Sequence, residues 1–328
     1  MDTMKRGMSR RGFHRIALLG TAAALVEKPV PAGTGSRTAG RNPVRLGGPV
    51  FVGFQDPDAW IAAHRALGYS AALCPVNPDA SEEVVEAFRK AAAETGLVIA
   101  EVGAWSNPIA KNAGERNDAL AKCISGLALA DRIGARCCVN ISGSRGDRWD
   151  GPDPENLTEE CFALIVDTTR AILDAVKPTR TFFTLETMPW AYPDSPDSYV
   201  RLLKAVDRKR FGVHLDHVNM VSSPERYFRN GDLIRECFKK LGPSIRSCHA
   251  KDILLSPKLT THLDEVRPGI GALDYAAYLT ELSRLPEPPP LILEHLPAEE
   301  DYRLAADYIR AIGEKAGIQF VPFGSASE

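Results

Sequence analysis

Short apolar runs alternate along the chain with longer segments in which apolar residues recur every three or four positions. Continuous apolar runs are typical of parallel strands buried on both faces, and the longer spacing is typical of amphipathic helices. A helical segment follows each predicted strand, so the pattern indicates an α/β fold built on a parallel sheet. The predicted strands cover residues 49–53, 69–74, 97–102, 136–141, 181–186, 211–216, 245–249 and 291–294.

The number of these pairs distinguishes two α/β architectures. Eight strand–helix pairs in about 270 residues predict a single-domain (β/α)8 TIM barrel over residues 49–318, with a tail over 319–328. A doubly wound open sheet would require a glycine-rich phosphate-binding turn after its first strand, and residues 53–56 do not supply one. Glycine, which is favoured at helix C-termini, follows the predicted helices at positions 68, 96, 134, 242 and 317.

The N-terminal region has a different composition. Arg10 and Arg11 precede a short apolar run over residues 16–26, a pattern typical of a twin-arginine signal peptide, which we place at residues 1–32. The apolar run is too short to serve as a stable membrane anchor. Residues 33–48 are rich in glycine and are predicted to be a short linker. We therefore expect the twin-arginine export machinery to deliver the protein to the periplasm or the outside of a bacterial cell.

Charge and cysteine content exclude several classes of protein. The full chain has a formal net charge of −2, and residues 1–32 carry +4, so the exported chain would carry −6. This acidic balance argues against a nucleic-acid partner. The seven cysteines are scattered without a CxxC pair, so the sequence indicates neither a zinc ribbon nor a disulfide framework.

Four predicted strands in the second half of the chain end in side chains that can bind a metal ion. These residues are Glu186, Asp216, His249 and Glu294, at the ends of the fifth to eighth strands. In a TIM barrel the carboxyl ends of the strands meet at one rim, where active sites lie. We therefore expect these side chains to form one site, although none is close to another in sequence.

Three carboxylates and one imidazole suit a single divalent cation. The set is rich in oxygen and lacks a thiolate, which favours Mn²⁺, with Mg²⁺, Co²⁺ and Zn²⁺ as alternatives. A sugar with neighbouring hydroxyl and carbonyl oxygens would bind at the open coordination positions, and the metal would stabilise the developing enediolate. Glu186 and Glu294 would then face opposite sides of the substrate carbon as base and acid.

Five segments of the chain carry a family resemblance: Thr184-Leu-Glu186, Gly212-Val-His-Leu-Asp-His-Val-Asn219, Cys248-His-Ala-Lys-Asp252, Arg267-Pro-Gly-Ile-Gly-Ala-Leu-Asp274 and Ile292-Leu-Glu-His295. Together they resemble the xylose isomerase-like TIM barrels. More narrowly, they resemble the bacterial sugar phosphate isomerase/epimerase group, which includes ketose 3-epimerases and inosose isomerases and dehydratases. The resemblance covers residues 49 to about 316. It implies that Glu186 and Glu294 both bind the metal and move the proton, and that Asp216 and His249 complete the metal site.

Two positions depart from the ketose 3-epimerases. Those enzymes usually carry a histidine three residues after the strand-six aspartate, where this chain has Asn219. They also carry an arginine six residues after the strand-seven histidine, where this chain has Leu255. Both are substrate contacts in that subgroup, so their absence argues against 3-epimerase activity but leaves the barrel and metal site intact. His217 lies nearby, and the sequence leaves open whether it replaces the missing imidazole or faces outward.

Further substrate contacts are expected beyond the strand ends. Trp105, Trp149 and Trp190 fall in loops after the third, fourth and fifth strands, and aromatic faces stack on the apolar faces of sugar rings. The loop over residues 142–156 is long and is a candidate lid. The other candidate substrate contacts are His217, Asn219, Lys251, Asp252, Glu101 and Asn140.

Four functions are compatible with these features. The first is an isomerase or epimerase of a sugar, keto-sugar or cyclitol. The second is a lyase or dehydratase that removes the same proton from a 3-keto-glycoside or inosose. The third, an apurinic-site endonuclease, resembles this chain at the four ligands but uses additional histidines for a three-metal cluster. The fourth is a non-catalytic sugar-binding barrel, which the presence of both glutamates disfavours. Homodimers are common among these relatives, and the sequence leaves that question open.

Overall fold

The chain forms a closed barrel of parallel strands. The computed structural model describes residues 40–325, so the predicted signal peptide and most of the predicted linker lie outside the described residues. The strands are β1 (Leu46–Gly47), β2 (Ala71–Leu73), β3 (Val98–Gly103), β4 (Cys137–Asn140), β5 (Phe182–Glu186), β6 (Phe211–Leu215), β7 (Ile245–Ala250), β8 (Asp252–Ser256), β9 (His262–Val266) and β10 (Leu291–Leu293). Eight of them close the barrel in the order β1-β10-β7-β6-β5-β4-β3-β2. The predicted (β/α)8 TIM barrel is therefore confirmed.

Helices connect the barrel strands. Within residues 40–325 they are α1 (Pro57–Leu67), α2 (Glu82–Thr95), α3 (Ala113–Ile133), α4 (Glu159–Val176), α5 (Pro196–Val206), α6 (Pro224–Phe228), α7 (Asn230–Leu241), α8 (Tyr275–Arg284) and α9 (Glu299–Lys315). Gly68, Gly96 and Gly134 end α1, α2 and α3 in the left-handed conformation, as predicted. Gly242 is instead right-handed and begins a short 3-10 turn. No helix in this part of the chain is long and apolar enough to cross a membrane.

The alternation of side chains along the strands separates the hydrophobic core from a polar interior. On β5, Phe183 and Leu185 belong to the main hydrophobic core, whereas Glu186 is a buried polar residue. In β6 and β7, His214 and His249 are buried polar residues that alternate with apolar ones. Successive strand residues point to opposite faces of the sheet, so the apolar set packs on the helices and the polar set faces into the barrel.

The predicted position of the first strand is wrong. The barrel strand is β1, inside the predicted linker, and residues 49–53 form no strand. Gly47 lies so close to β2 that a Cβ atom there would be 2.2 Å from the carbonyl oxygen of Ala71. The predicted tail also begins too early, because Val44 pairs with Phe320 and donates a backbone hydrogen bond to Gln319. The barrel therefore begins before residue 49, and the folded domain continues past residue 318.

A β-hairpin that the sequence did not reveal follows β7. Strands β8 and β9 pair in antiparallel register, with Asp252 opposite Val266 and Ser256 opposite His262. The hairpin lies between β7 and α8, where the sequence predicts no strand. It brings Glu265, near the end of β9, back to the barrel rim.

Candidate active site

The carboxyl ends of β5, β6, β7 and β10 lie side by side along one part of the barrel rim. Glu186 is the last residue of β5, and His249 is the next to last residue of β7. Asp216 and Glu294 directly follow β6 and β10. Their potential ligand atoms all lie within 4.8 Å of one another. The structure thus brings together the four side chains that the sequence suggested as one metal site.

The imidazole of His249 is at the centre of this cluster. Its Nδ1 atom lies 2.7 Å from Glu294 Oε1, 2.9 Å from Glu186 Oε1 and 3.7 Å from Asp216 Oδ2. Glu294 is partly buried, and the other three side chains are fully buried. Three carboxylates therefore converge on one ring nitrogen in a region from which water is largely excluded.

Glu101, at the inner side of the cluster, orients His249. Its Oε1 lies 3.3 Å from His249 Nε2, and its Oε2 accepts a hydrogen bond of 3.1 Å from Ser247 Oγ. His214 Nε2 lies 2.8 Å from the same Oε2. A carboxylate can only accept hydrogen bonds, so His249 presents an Nε2–H to Glu101. In the neutral ring the lone pair on Nδ1 then faces the other carboxylates, which is the arrangement of a metal-binding histidine.

Lys251 lies among the same carboxylates. Its ammonium group is 2.7 Å from Glu294 Oε1 and 2.8 Å from Asp216 Oδ2, with Glu186 and Glu265 each at 3.6 Å. Only 2 % of the lysine residue is exposed. Burial lowers the pKa of Lys251, but the surrounding carboxylates outweigh this effect and hold the pKa well above its usual range. The lysine therefore stays charged inside the site.

Burial and charge shift the pKa values of the acids in different directions. Burial raises the pKa of Asp216, but Lys251 and His249 outweigh it and hold that pKa well below its usual range. Burial likewise raises the pKa of Glu294, but His249, Lys251 and His295 together outweigh it and lower that pKa to about 2. At Glu186 burial prevails over Lys251 and His249, and the pKa is raised. The two glutamates thus occupy electrostatically distinct positions.

The donor set fits a divalent cation. Asp216 Oδ2 and Glu294 Oε1 are buried, yet neither accepts a hydrogen bond of acceptable geometry despite the nearby nitrogen atoms. Buried polar atoms without partners are rare, and a bound cation would give these two oxygens a partner. With His249 neutral, the three ligand carboxylates and Lys251 carry a net charge of −2, and Glu101 behind His249 adds further negative charge, so the site is net anionic and favours a divalent cation. Glu186, Asp216, His249 and Glu294 would hold that ion.

A cavity of about 680 Å³ opens above the cluster. Its walls include Trp105, Trp149 and Trp190, and its floor includes Glu186 and Glu294. The indole nitrogen of Trp190 donates a 2.8 Å hydrogen bond to the carbonyl oxygen of Asp150, which ties that loop to the loop carrying Trp149. The structure therefore brings the three tryptophans together at the barrel mouth. An aromatic cavity with a few convergent polar groups is typical of a small-molecule site.

Two predicted substrate contacts reach this cavity. Asn219 and Lys251 both line it. Asn219 Nδ2 also donates hydrogen bonds of 3.3 Å to Glu186 Oε1 and 3.0 Å to the carbonyl oxygen of Thr187. The amide therefore holds Glu186 in place, and its remaining surface faces the cavity.

His217 and Asp252 do not line the cavity, which corrects their predicted role as substrate contacts. The imidazole of His217 is buried against the rings of Phe238 and Tyr278, at centroid distances of 5.7 and 4.4 Å. Burial lowers its pKa to about 3, so the ring is neutral and packs as a core residue. It neither replaces the missing imidazole nor faces outward.

Asp252 is instead the anchor of the hairpin. Its Oδ1 accepts hydrogen bonds of 2.8 Å from the backbone nitrogens of Ile253 and Leu273. Its Oδ2 accepts bonds of 3.0 and 3.2 Å from Gly269 and Gly271. The carboxylate is fully used in folding the segment between β9 and α8.

Glu101 and Asn140 also lie away from the cavity wall. Glu101 lies behind His249, which it orients, and does not line the cavity. Asn140 accepts a 3.0 Å hydrogen bond from the backbone nitrogen of Ser106 and donates one of 3.2 Å to Cys123 Sγ. Asn140 therefore positions the loop that carries Trp105, and neither side chain is a substrate contact.

Sequence reasoning missed several residues around the cluster. Glu265 and His295 both line the cavity, and their side chains lie 3.2 Å apart. Tyr278 donates a hydrogen bond of 2.9 Å to the carbonyl oxygen of His249, and Tyr275 donates one of 2.7 Å to that of Lys251. His295 directly follows Glu294, so its position next to a ligand candidate could have identified it from the sequence. The tyrosines are ordinary apolar positions of a helix and carry no comparable signal.

The chain belongs to the xylose isomerase-like TIM barrel family. The family's model matches residues 61–312, which include all four ligand candidates. A search of curated proteins found no significant sequence match.

Solved structures share the fold at low sequence identity. Endonuclease IV from Thermus thermophilus is 15 % identical, with a TM-score of 0.63 over 83 % of this chain and 99 % of the other. The 3-keto-D-glucoside 4-epimerase of E. coli is 15 % identical, with a TM-score of 0.60 over 82 % and 99 %. A xylose isomerase-like TIM barrel protein from Mycobacterium smegmatis, solved in complex with magnesium, is 18 % identical, with a TM-score of 0.58 over 86 % and 99 %.

Proposed function

We propose that the protein is a divalent-metal-dependent isomerase or epimerase of a sugar, keto-sugar or cyclitol. One observation carries this proposal. Glu186 Oε1 and Glu294 Oε1 converge on the same nitrogen of His249, at 2.9 and 2.7 Å, on the floor of a tryptophan-lined cavity. Two acids at one point of a sugar-sized site suit the removal and return of a proton at a carbon next to a carbonyl.

The metal would be held by Glu186, Asp216, His249 and Glu294. Three oxygen donors, one nitrogen donor and no thiolate favour Mn²⁺ or Mg²⁺ over softer ions. The magnesium complex of the M. smegmatis protein supports a hard divalent ion on this fold. When bound, such an ion polarises a carbonyl group and offsets negative charge that develops on its oxygen.

Side chains of the protein carry out the proton transfer and bind the substrate. One glutamate removes the proton from the substrate carbon, and the other returns a proton, on the opposite face in an epimerase. Asn219 holds Glu186 through the 3.3 Å hydrogen bond to Oε1. Lys251 lies beside both acids and faces the cavity, where it can donate a hydrogen bond to a substrate oxygen. The tryptophans stack on the sugar and exclude water from the acids.

The similarity to an endonuclease in fold does not extend to the metal cluster expected of that class. Among the described histidines, His64 is buried in α1 against Trp60, and His217 is buried against Phe238. His214 is committed to Glu101 at the inner side of the cluster. None of these three lines the cavity, and His295, which does line it, belongs to no group of three or more potential metal ligands among the described residues.

Deuterium exchange tests the proposed chemistry. Mn²⁺-loaded protein is incubated in D₂O with sugars, keto-glycosides and cyclitols, beside an EDTA-treated control. We expect metal-dependent exchange at a carbon next to a carbonyl, and Glu294→Gln should abolish it with the fold intact. Glu299→Gln, at an exposed acid five residues away, is the matched control. A product that differs in mass from its substrate only by the incorporated deuterium indicates an isomerase, and loss of water or of a substituent indicates a lyase, whereas no exchange on any compound would refute both.

Export by the twin-arginine pathway is the second part of the proposal. It is supported by Arg10 and Arg11 ahead of the short apolar run. Changing Arg10-Arg11 to Lys-Lys should retain the protein in the cytoplasm, as measured by cell fractionation. Normal export of this variant would contradict the assignment.

A further inference from the structure

A second groove adjoins the main cavity. It has a volume of about 430 Å³ and shares Trp105 and Trp149 with the main cavity as wall residues. Its opposite wall is the first half of α3, with Glu115, Asp118 and Lys122. Ligand pockets typically have volumes of about 300–1,000 Å³, so each of the two spaces is large enough for a group of its own.

The wall between the two spaces is braced by hydrogen bonds. Asn107 Nδ2 donates a bond of 2.8 Å to the carbonyl oxygen of Ser144, and Ser144 N donates one of 3.1 Å to Asn107 Oδ1. These bonds join the loop of Trp105 to the loop of Trp149. Lys122 donates a bond of 2.9 Å to the carbonyl oxygen of Trp105. The two indoles are therefore fixed on a common frame rather than carried on independent loops.

The absence of a side chain at Gly103 leaves space for the indole ring of Trp105. A Cβ atom at Gly103, the last residue of β3, would be 2.6 Å from the ring nitrogen of Trp105. The indole thus lies directly against the strand, and its ring centroid is 6.4 Å from that of His249. Only a glycine at this position lets the ring lie so close to the proposed metal site.

The polar groups of the groove select among ligand classes. Glu115 and Asp118 are exposed acids, and together with the ammonium group of Lys122, which donates a hydrogen bond to the carbonyl oxygen of Trp105, they give the groove a net charge of −1. Carboxylates accept hydrogen bonds from hydroxyl groups and repel phosphates. Trp149, which is 42 % exposed, offers an aromatic face to an apolar sugar face. The groove therefore suits a neutral polyhydroxylated ring and opposes a phosphorylated one.

We propose that this groove is a second sugar subsite and that the substrate is a glycoside of at least two rings. The ring with the reacting carbon lies in the main cavity, and a neutral second ring lies between Trp149 and α3. The identity of the inner ring rests on the proposed function. The position of the outer ring rests on the groove alone.

Binding measurements test this subsite without requiring turnover. The Mn²⁺-loaded full chain is titrated calorimetrically with 3-ketoglucose and with 3-keto disaccharides of glucose in 1,1, 1,2, 1,4 and 1,6 linkage. At least one disaccharide should bind roughly tenfold more tightly than the monosaccharide, as expected for one added aromatic contact and its hydrogen bonds. Asp118→Trp, which fills the groove, should reduce this ratio to about one. Asn117→Trp, at an exposed neighbour on α3 outside the groove, should preserve it.

The two proposals can fail separately. If no disaccharide binds better than 3-ketoglucose, or if the preference survives Asp118→Trp, the subsite is refuted whatever the enzyme catalyses. If a disaccharide binds with the expected preference but no compound exchanges deuterium, the subsite stands and the isomerase proposal is refuted.

Discussion

Replacing Glu101 with glutamine tests whether this residue fixes the metal-binding form of His249. The wild-type carboxylate lies 3.3 Å from His249 Nε2 and 2.8 Å from His214 Nε2, and it accepts a third hydrogen bond from Ser247. Glutamine has nearly the same shape but turns one oxygen into an NH₂ donor. If that donor faces His249, the imidazole must accept at Nε2 and carry its proton on Nδ1. The atom that faces the three carboxylates then has no lone pair for a metal.

The size of the effect follows from the geometry. Partners of metal-binding histidines are typically worth about 10- to 100-fold in metal affinity. The 3.3 Å contact is slightly longer than an ordinary N–H···O bond of about 2.7–3.2 Å, so it is the weaker of the bonds to Glu101. We therefore expect the lower end of the range, a loss of roughly tenfold in Mn²⁺ affinity, or about 1.4 kcal/mol.

Calorimetric titration of Mn²⁺ into EDTA-treated protein measures this affinity, and ¹⁵N NMR of the imidazoles in protein loaded with diamagnetic Mg²⁺ reports whether His249 keeps its proton on Nε2. Ser247→Ala is the matched control, because it removes one hydrogen bond to the same carboxylate but leaves the acceptor of His249. Its Mn²⁺ affinity should stay within about twofold of wild type. Wild-type Mn²⁺ affinity in both Glu101→Gln and Glu101→Leu, which has no acceptor for the Nε2–H of His249, would refute the orienting role.

The same contacts support three further predictions. Lys251→Met leaves buried carboxylates without their cation, so the free energy of unfolding of the metal-free variant, measured with urea, should fall by about 3–5 kcal/mol. Mn²⁺ should restore part of this free energy. An unfolding midpoint equal to that of the wild type would contradict the pairing. Asp252→Ala removes the acceptor of four backbone N–H groups and should destabilise the protein by about 3 kcal/mol or more, as measured by thermal unfolding. The conservative variant Asp252→Asn should lose less stability. Equal losses of stability in the two variants would mean that the hydrogen bonds do not matter. Mn²⁺ at about 100 times its dissociation constant should stabilise the wild type by about 2.7 kcal/mol and Asp216→Ala much less; equal stabilisation would remove Asp216 from the metal site.

The four ligand candidates were predictable because the sequence shows where each strand ends and the barrel fold determines where the strand ends meet. An apolar run that stops at an acid or a histidine marks the end of a buried strand, and a barrel gathers strand ends on one rim. Glu186 and His249 lie 63 positions apart in sequence, yet their side-chain atoms meet at 2.9 Å. The position along the strand sufficed for this result, without any knowledge of side-chain conformation.

The same reasoning failed where the chain leaves the strand. Asp216 faces the site, but the backbone of His217 is already helical, with φ −72° and ψ −33°. One residue in such a 3-10 turn rotates the side chain by about 120°, which directs His217 toward Phe238 and Tyr278 instead of the cavity. The prediction of the first strand failed for a different reason. The strand Leu46–Gly47 has only two residues, which is too few to form a recognisable apolar run.

Lys251 and Asp252 were both predicted to contact substrate, and strand geometry explains why only Lys251 faces the cavity. Successive residues of extended backbone point to opposite sides, so adjacent side chains on a strand cannot both face the same cavity. Lys251 faces the carboxylates, and Asp252 faces the opposite way, where four backbone N–H groups use its oxygens. The segment that Asp252 fixes follows directly on β9, which places Glu265 3.6 Å from the Lys251 ammonium group. Asp252 thus affects the site through the hairpin, and loss of this carboxylate should weaken the contact between Glu265 and Lys251 as well as the fold.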